Sequence, residues 1–201
     1  PMLFAITGHE AAHAWAALQL GDRTAYQLGR VTLNPIKHID PIGTIVLPLL
    51  MVASQVGFIF GWAKPVPIDV RYFRNQRRDM ALTALAGPMA NFLMAIFWLL
   101  FIKFVALLDI SMSTLKPLVA VGNAGMIVNI GLMVLNLLPI LPLDGGRVLY
   151  GILPRSLAYP FGRLEPFGLF ILIALLASGL LDKILLPIIT VIYQQFVALL
   201  I

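Results

Sequence analysis

Residues 7 to 15 read TGHEAAHAW, and three of them could do chemistry together: His9, Glu10 and His13. In a helix, positions four apart project from one face about one turn apart, so His9 and His13 offer two imidazoles to a single ion. Glu10 sits about 100° round from His9, near enough for its carboxylate to reach a water held by that ion without being a ligand. This is the His-Glu-x-x-His zinc pattern, two ligands with a general base built in. The competing reading is a pair of buried histidines satisfied by hydrogen bonds from neighbouring helices. Chance placement is a poor explanation in a chain with only three histidines and two glutamates. A carboxylate inside an apolar segment also costs about 2.5 kcal/mol or more without a partner.

The chain has no cysteine, so any metal must be held by His, Asp or Glu. A tetrahedral catalytic zinc takes three protein ligands and leaves a fourth position open. His38 in NPIKHIDP is one candidate for the third, although a Pro-rich loop suits a structural role. Asp144 in NLLPILPLDGGRV is better placed, because it stands among apolar segments rather than in a polar loop or at a span boundary. Pro139 and Pro142 remove backbone donors and Gly145-Gly146 permits unusual dihedrals, so a break in the helix is expected there. Irregular backbone at membrane depth is tolerated only against protein or a wet cavity, a setting in which a carboxylate can complete a metal site. Asp144 as the cap of the following helix is the alternative. Glu165 in RLEPFG would be the third ligand of a different metalloprotease class.

The elements that must position these residues are membrane elements. The chain is 60% hydrophobic and 11% charged, with a mean hydropathy of +0.95, far more apolar than a soluble domain of 201 residues. Taking about 20 apolar residues as a span, the long uncharged runs are 1–20, 43–62, 80–108, 117–135 and a stretch from 167 that is expected to split at Asp182-Lys183 and bend at Pro187. No repeat, low-complexity segment or long linker divides the chain, so one membrane domain over 1–201 is expected. No signal-peptide pattern is apparent; the opening Pro1 and the short lead into His9 suggest a truncated N-terminus.

Charge orients the spans. The net charge of +5 does not call for nucleic acid, because the basic residues sit beside apolar segments, where cytoplasmic orientation accounts for them. Loop 21–42 carries Arg23, Arg30 and Lys37, and 61–79 carries Lys64, Arg71, Arg74, Arg77 and Arg78. If 43–62 crossed the bilayer, these loops would face opposite sides, so a re-entrant element is expected, bending at Gly43, Pro48 and Gly57. Arg147, Arg155 and Arg163 then fall on the cytoplasmic side, and Lys103 snorkels from the outer end of 80–108.

At this point the chain resembles the site-2 proteases, intramembrane zinc metalloproteases. The resemblance rests on TGHEAAHAW, LAGPMANF (85 to 92) and NLLPILPLDGGRV (136 to 148), in that order, with RVTLNPIKHIDPIGT and FGWAKPVPID similar to small bacterial or archaeal members. It implies one zinc per chain, held by His9, His13 and Asp144, with Glu10 as the base. It implies that Asn136 lies near the active site, positioning substrate or stabilising the oxyanion, and that Asn91 is a family position of less certain role. Asn91, Asn123 and Asn129 otherwise read as hydrogen-bonding residues between helices. The implied fold is an all-α polytopic helical bundle with a small extended, β or re-entrant element after the first helix. The implied partners are transmembrane protein or peptide substrates in the lipid bilayer of a bacterial or archaeal cell, with the active site opening toward the cytoplasm. No PDZ-like insertion and no pair of nucleotide-sensing repeats is found.

A substrate must unwind to reach such a site, because a helix hides its carbonyls in its own hydrogen bonds. The stretch 136–143, or an extended segment within 21–42, is expected to pair with it by strand addition. Two rival functions remain: a pseudoprotease that binds transmembrane partners without cutting them, which would be expected to have lost a ligand or the base, and a metal transporter, which would need sites connecting both faces.

Overall fold

The computed structural model describes residues 1–54 and 61–200, and among them the architecture is helical, with no strand. Nine α-helices follow in order: α1 Met2–Gln19, α2 Thr24–Gln27, α3 Leu47–Ala53, α4 Gln76–Ala106, α5 Met112–Asn136, α6 Asp144–Ile152, α7 Arg155–Gly162, α8 Glu165–Ala177 and α9 Leu180–Ala198. Three of them, α4, α5 and α9, are long and apolar enough to cross a membrane. The α7–α8 pair, bent by 66°, would make a fourth if counted as one span. The expected run 1–20 forms α1 but is not among these spans.

The long helix α4 is the hub, packed most extensively against α5 and then against α1 and α6. Asn75 caps it by accepting from the Arg78 N–H, while Asp79 reaches back to accept from the Asn75 N–H, which satisfies two donors that a helix start leaves unpaired. Between α4, α5, α8 and α9 lies an apolar core built on Leu99, Met126, Ile130, Leu172 and Phe196. In lipid such packing is held by close contact and by hydrogen bonds between helices rather than by exclusion of water. The asparagines serve here as expected: Tyr193 donates its hydroxyl to Asn123 across α5 and α9, and Asn91 donates to Asn129 across α4 and α5. Lys103 is exposed in the last turn of α4, as snorkelling requires.

The expected β element is absent from the described residues. Between α2 and α4 the described residues hold two short 3-10 turns, Pro35–His38 and Val70–Tyr72, and the apolar helical segment 41–53, which at about 1.5 Å per residue is too short to span. The chain leaves it and comes back to its start: the Trp62 N–H donates to the Gly43 carbonyl, the Thr44 hydroxyl donates to the Trp62 carbonyl, and the Lys64 N–H donates to the His38 carbonyl. A segment whose two ends meet has the connectivity of a re-entrant element rather than of a crossing. The expected bend at Gly57 lies outside the described residues.

Residues 61–69 then run without helix along α1. Three anchors hold them: Arg30 donates to the Lys64 carbonyl, Glu10 accepts from the Val66 N–H, and Asp22 accepts from the Asp69 N–H. At the other end of the chain, the helical break falls at Gly179, with φ 68°, not at Asp182-Lys183. The αL conformation that glycine adopts freely ends α8, whereas Asp182 sits in the first turn of α9, where a negative charge is favourable. Pro187 lies inside a continuous α9.

Candidate metal centre

Helix α1 turns His9 and His13 toward α4, leaving each 7% exposed, while residues such as Phe4 and Trp15 point outward. Each imidazole is anchored through Nδ1, His9 to the Asn91 side-chain oxygen at 2.6 Å and His13 to the Thr83 carbonyl at 2.7 Å. Both partners are oxygen acceptors, so each Nδ1 carries the hydrogen, and in the neutral imidazole each Nε2 keeps a lone pair. Those two Nε2 atoms face one another at 3.0 Å.

Asp144 completes the group. It is the first residue of α6, but its side chain does not cap that helix; Leu143 holds the cap position. The carboxylate instead turns inward, 8% exposed, with Oδ2 3.1 Å from His9 Nε2 and 3.3 Å from His13 Nε2. Among the described residues, Oδ2 finds no donor. With both imidazoles neutral, three buried acceptors converge with no hydrogen among them, an arrangement that is repulsive unless a cation sits between. Metal–ligand bonds of about 2.0–2.1 Å in a tetrahedron place ligand atoms about 3.3 Å apart, and the observed separations match that edge. Two imidazoles and one carboxylate, with no sulfur, suit zinc.

Glycine is required where these parts meet. A Cβ on Gly145 would lie 2.2 Å from the Leu137 carbonyl oxygen and one on Gly146 2.5 Å from the Leu141 nitrogen, so only a Gly-Gly pair lets the start of α6 rest on the broken 137–141 backbone. The expected helix break is therefore real, and it lies between α5 and α6. From the other side, Arg77 on α4 donates to the Tyr150 and Leu153 carbonyls and fixes the far end of α6.

A cavity of about 160 Å³ opens beside the three acceptors. Glu10 and Asn136 both line it, as do Pro65, Val66 and Ile68 from the extended segment. One Glu10 oxygen accepts from the Val66 N–H at 3.0 Å. Asn136, the last residue of α5, donates to the Leu132 carbonyl. His38 is elsewhere: it is buried, with Nε2 bonded to the Thr32 carbonyl, and has the structural role of a loop anchor. Glu165 is exposed at the start of α8 and is not brought to the histidines. Within the expected pairing segments, 136–143 reaches the cavity through Asn136, Pro142 and Leu143, whereas 21–42 contributes nothing to its lining. Val66 escaped the sequence reading, yet its neighbours signal it: Pro65 and Pro67 have no N–H, so Val66 offers the only backbone donor in that triplet.

No protein-family model matches the chain, and no solved structure matches it. Curated relatives do. YwhC of Bacillus subtilis, provisionally named a zinc metalloprotease, is 35% identical over 188 residues, covering 92% of this chain and 82% of YwhC. The chain belongs to the site-2 protease family. Rip2 of Mycolicibacterium smegmatis, which carries the same provisional name, is 29% identical over 90% of the chain, and the chain spans 66% of it. The Regulator of sigma-E protease RseP of Escherichia coli is 32% identical over 48% of the chain, which spans 23% of that protein.

LAGPMANF, far from the histidines in sequence, stands directly behind them in the fold. A Cβ on Gly87 would lie 2.4 Å from His13 Nε2, so α4 can approach the imidazoles only at a glycine. Asn91 and Asn129, both 0% exposed, form a relay from His9 through Asn91 to Asn129 and on to the Gly125 carbonyl, with a branch from Asn91 to the Ala5 carbonyl. Hydrogen bonds between membrane helices average only about 0.6 kcal/mol, so orientation of His9 is the relay's larger contribution. Replacing Asn91 by Ala is expected to weaken zinc binding about 10–100-fold, as loss of the partner behind a ligating histidine does. Competition against a chelator of known affinity would measure it, and unchanged affinity would reduce Asn91 to a packing residue.

Proposed function

We propose that this site-2 protease homologue is an active intramembrane zinc endopeptidase, hydrolysing peptide bonds within or near transmembrane segments of membrane proteins. One observation carries the reading: three buried acceptors converge at metal-ligand spacing beside a cavity that also holds a carboxylate anchored by a backbone N–H. His9, His13 and Asp144 would hold zinc, and Glu10 and Asn136 would act on water and substrate.

Zinc, when bound, supplies the Lewis acidity that makes a water nucleophilic near neutral pH. Glu10 takes one proton from the attacking water through the oxygen not engaged by Val66, while the water oxygen adds to the peptide carbonyl carbon. As the C–N bond breaks, Glu10 returns that proton to the leaving amine, so it ends as it began. Asn136 offers its amide to the carbonyl oxygen as charge develops there. Pro65, Val66 and Ile68 form the wall beside which an unwound substrate can lie.

The orientation with the cavity toward the cytoplasm follows from charge. Arg77 joins the start of α4 to the end of α6, so Arg71, Arg74, Arg77 and Arg78 share one end of the bundle with Arg155, the side that positive charge favours. The test is reconstitution of the purified chain with a panel of peptides, each carrying one transmembrane segment, with cleavage read by mass spectrometry. Cleavage is expected, to be abolished by 1,10-phenanthroline and restored by added zinc. Zinc-loaded, folded protein that cuts no member of a broad panel would leave a non-cutting relative as the better reading.

A further inference from the structure

A second and larger cavity, of about 420 Å³, lies next to the one beside His9, His13 and Asp144. The two cavities share Met80 and Arg147 as wall residues. Arg147 thus faces both spaces, and a chain seated at Glu10 and Asp144 that continues past it would come to the larger one. Its walls are Tyr150 and Tyr159 with the charged side chains of Arg147, Arg163 and Glu165, two cations against one anion.

The two arginines differ in how they are held. Arg163 donates to the Tyr159 hydroxyl at 3.1 Å and lies over the Tyr159 ring, 4.6 Å from its centre. Arg147 is half-buried one helical turn beyond Asp144, and among the described residues its guanidinium has neither an acceptor nor an ion pair. A partly desolvated guanidinium with five donors and no acceptor is a group waiting for an anion. Tyr150 is fixed behind it, with the Arg77 guanidinium 5.6 Å from its ring centre and α7 pressed on it at Gly162. The wall thus draws on α4, α6, α7 and the start of α8, and is cationic at Arg147, where it meets the smaller cavity.

We infer that this cavity is a specificity subsite for an acidic residue of the substrate, Asp or Glu, lying at a fixed distance from the scissile bond and paired with Arg147 and Arg163. The inference rests on the protease reading above for the direction of the chain through the two cavities. It assigns Arg147 the role of a specificity-determining residue, not one that acts on the reacting atoms. Substrate segments with Asp or Glu at that position are favoured, and those with Lys or Arg there meet a like charge.

The test uses a pooled library of synthetic peptides, each an apolar transmembrane segment with randomised flanks, offered to detergent-purified full chain. Wild type, Arg147→Gln and Arg163→Glu are compared, each first checked for zinc content and thermal unfolding. Cut sites for wild type should be enriched in Asp or Glu over Lys or Arg at one position by at least about tenfold, since a cationic wall favours one sign and penalises the other. Arg147→Gln should flatten that preference, and Arg163→Glu should reverse it. An unchanged profile in folded, zinc-loaded variants would overturn the subsite while leaving the protease reading standing. Retention of the same library by Glu10→Gln protein separates the two in the other direction. Acid-selective binding that depends on Arg147, in a wild type that cuts nothing, would keep the subsite and overturn the protease. If Arg147→Gln instead sheds co-purified phosphatidylglycerol and leaves the peptide profile alone, the cavity holds a lipid headgroup and the subsite is overturned.

Discussion

Glu10→Gln protein is expected to retain about one zinc per chain and to lose peptide hydrolysis by about 10²–10⁴-fold, the range that a positioned general base contributes. The separation of the two effects follows from geometry. Glu10 lines the cavity beside His9, His13 and Asp144 but is not one of the three converging atoms, and its anchored oxygen is bound to Val66 on the extended segment. A glutamine can still accept from the Val66 N–H with its side-chain oxygen, so the shape of the cavity and the position of 65–68 survive. What glutamine cannot do is take a proton from water. Metal content by plasma mass spectrometry and cleavage of the peptide panel measure the two properties independently. Cleavage at the wild-type rate would remove Glu10 from the chemistry, and zinc loss would make it a ligand.

The site was legible from sequence to the extent that helical period and chemistry act locally. Spacing of four on a helix places His9 and His13 together whatever surrounds them, and Asp144 is exceptional for its apolar neighbourhood. What stands behind the two imidazoles was not legible in the same way. Thr83 acts through its carbonyl, which every residue type has, and the need for Gly87 comes from the approach of α4 to α1, a tertiary fact. The bundle was legible where apolar runs are long, as in α4 and α5. It was misread where two local signals competed. An extended segment was expected within 21–42, which adds nothing to the cavity, whereas Pro65, Val66 and Ile68 line it from a non-helical stretch held by the side chains of Glu10, Asp22 and Arg30. Near the C-terminus, the charged pair Asp182-Lys183 looked like a break, but a charge is tolerated in a first turn and the αL glycine at 179 decides where α8 ends.

Asp144→Ala is expected to reduce zinc in detergent-purified protein from about one per chain to a small fraction of that, with an affinity loss beyond the ~10–100-fold expected for Asn91→Ala. The argument turns on charge and count together. The orientation of His9 and His13 is set by Asn91 and Thr83, so the pair of imidazoles persists in the variant. Two neutral ligands do not hold a divalent cation in a low-dielectric setting as three with one negative charge do. Helical content should be little changed, because the Asp144 side chain does not cap α6. Glu165→Ala, made in parallel, is expected to retain full zinc, since Glu165 is exposed on α8 and apart from the histidines. The contrast between the two variants decides which carboxylate belongs to the site. Zinc retained by Asp144→Ala and lost by Glu165→Ala would move the metal centre to α8 and would require the helices to pack differently from the arrangement described above.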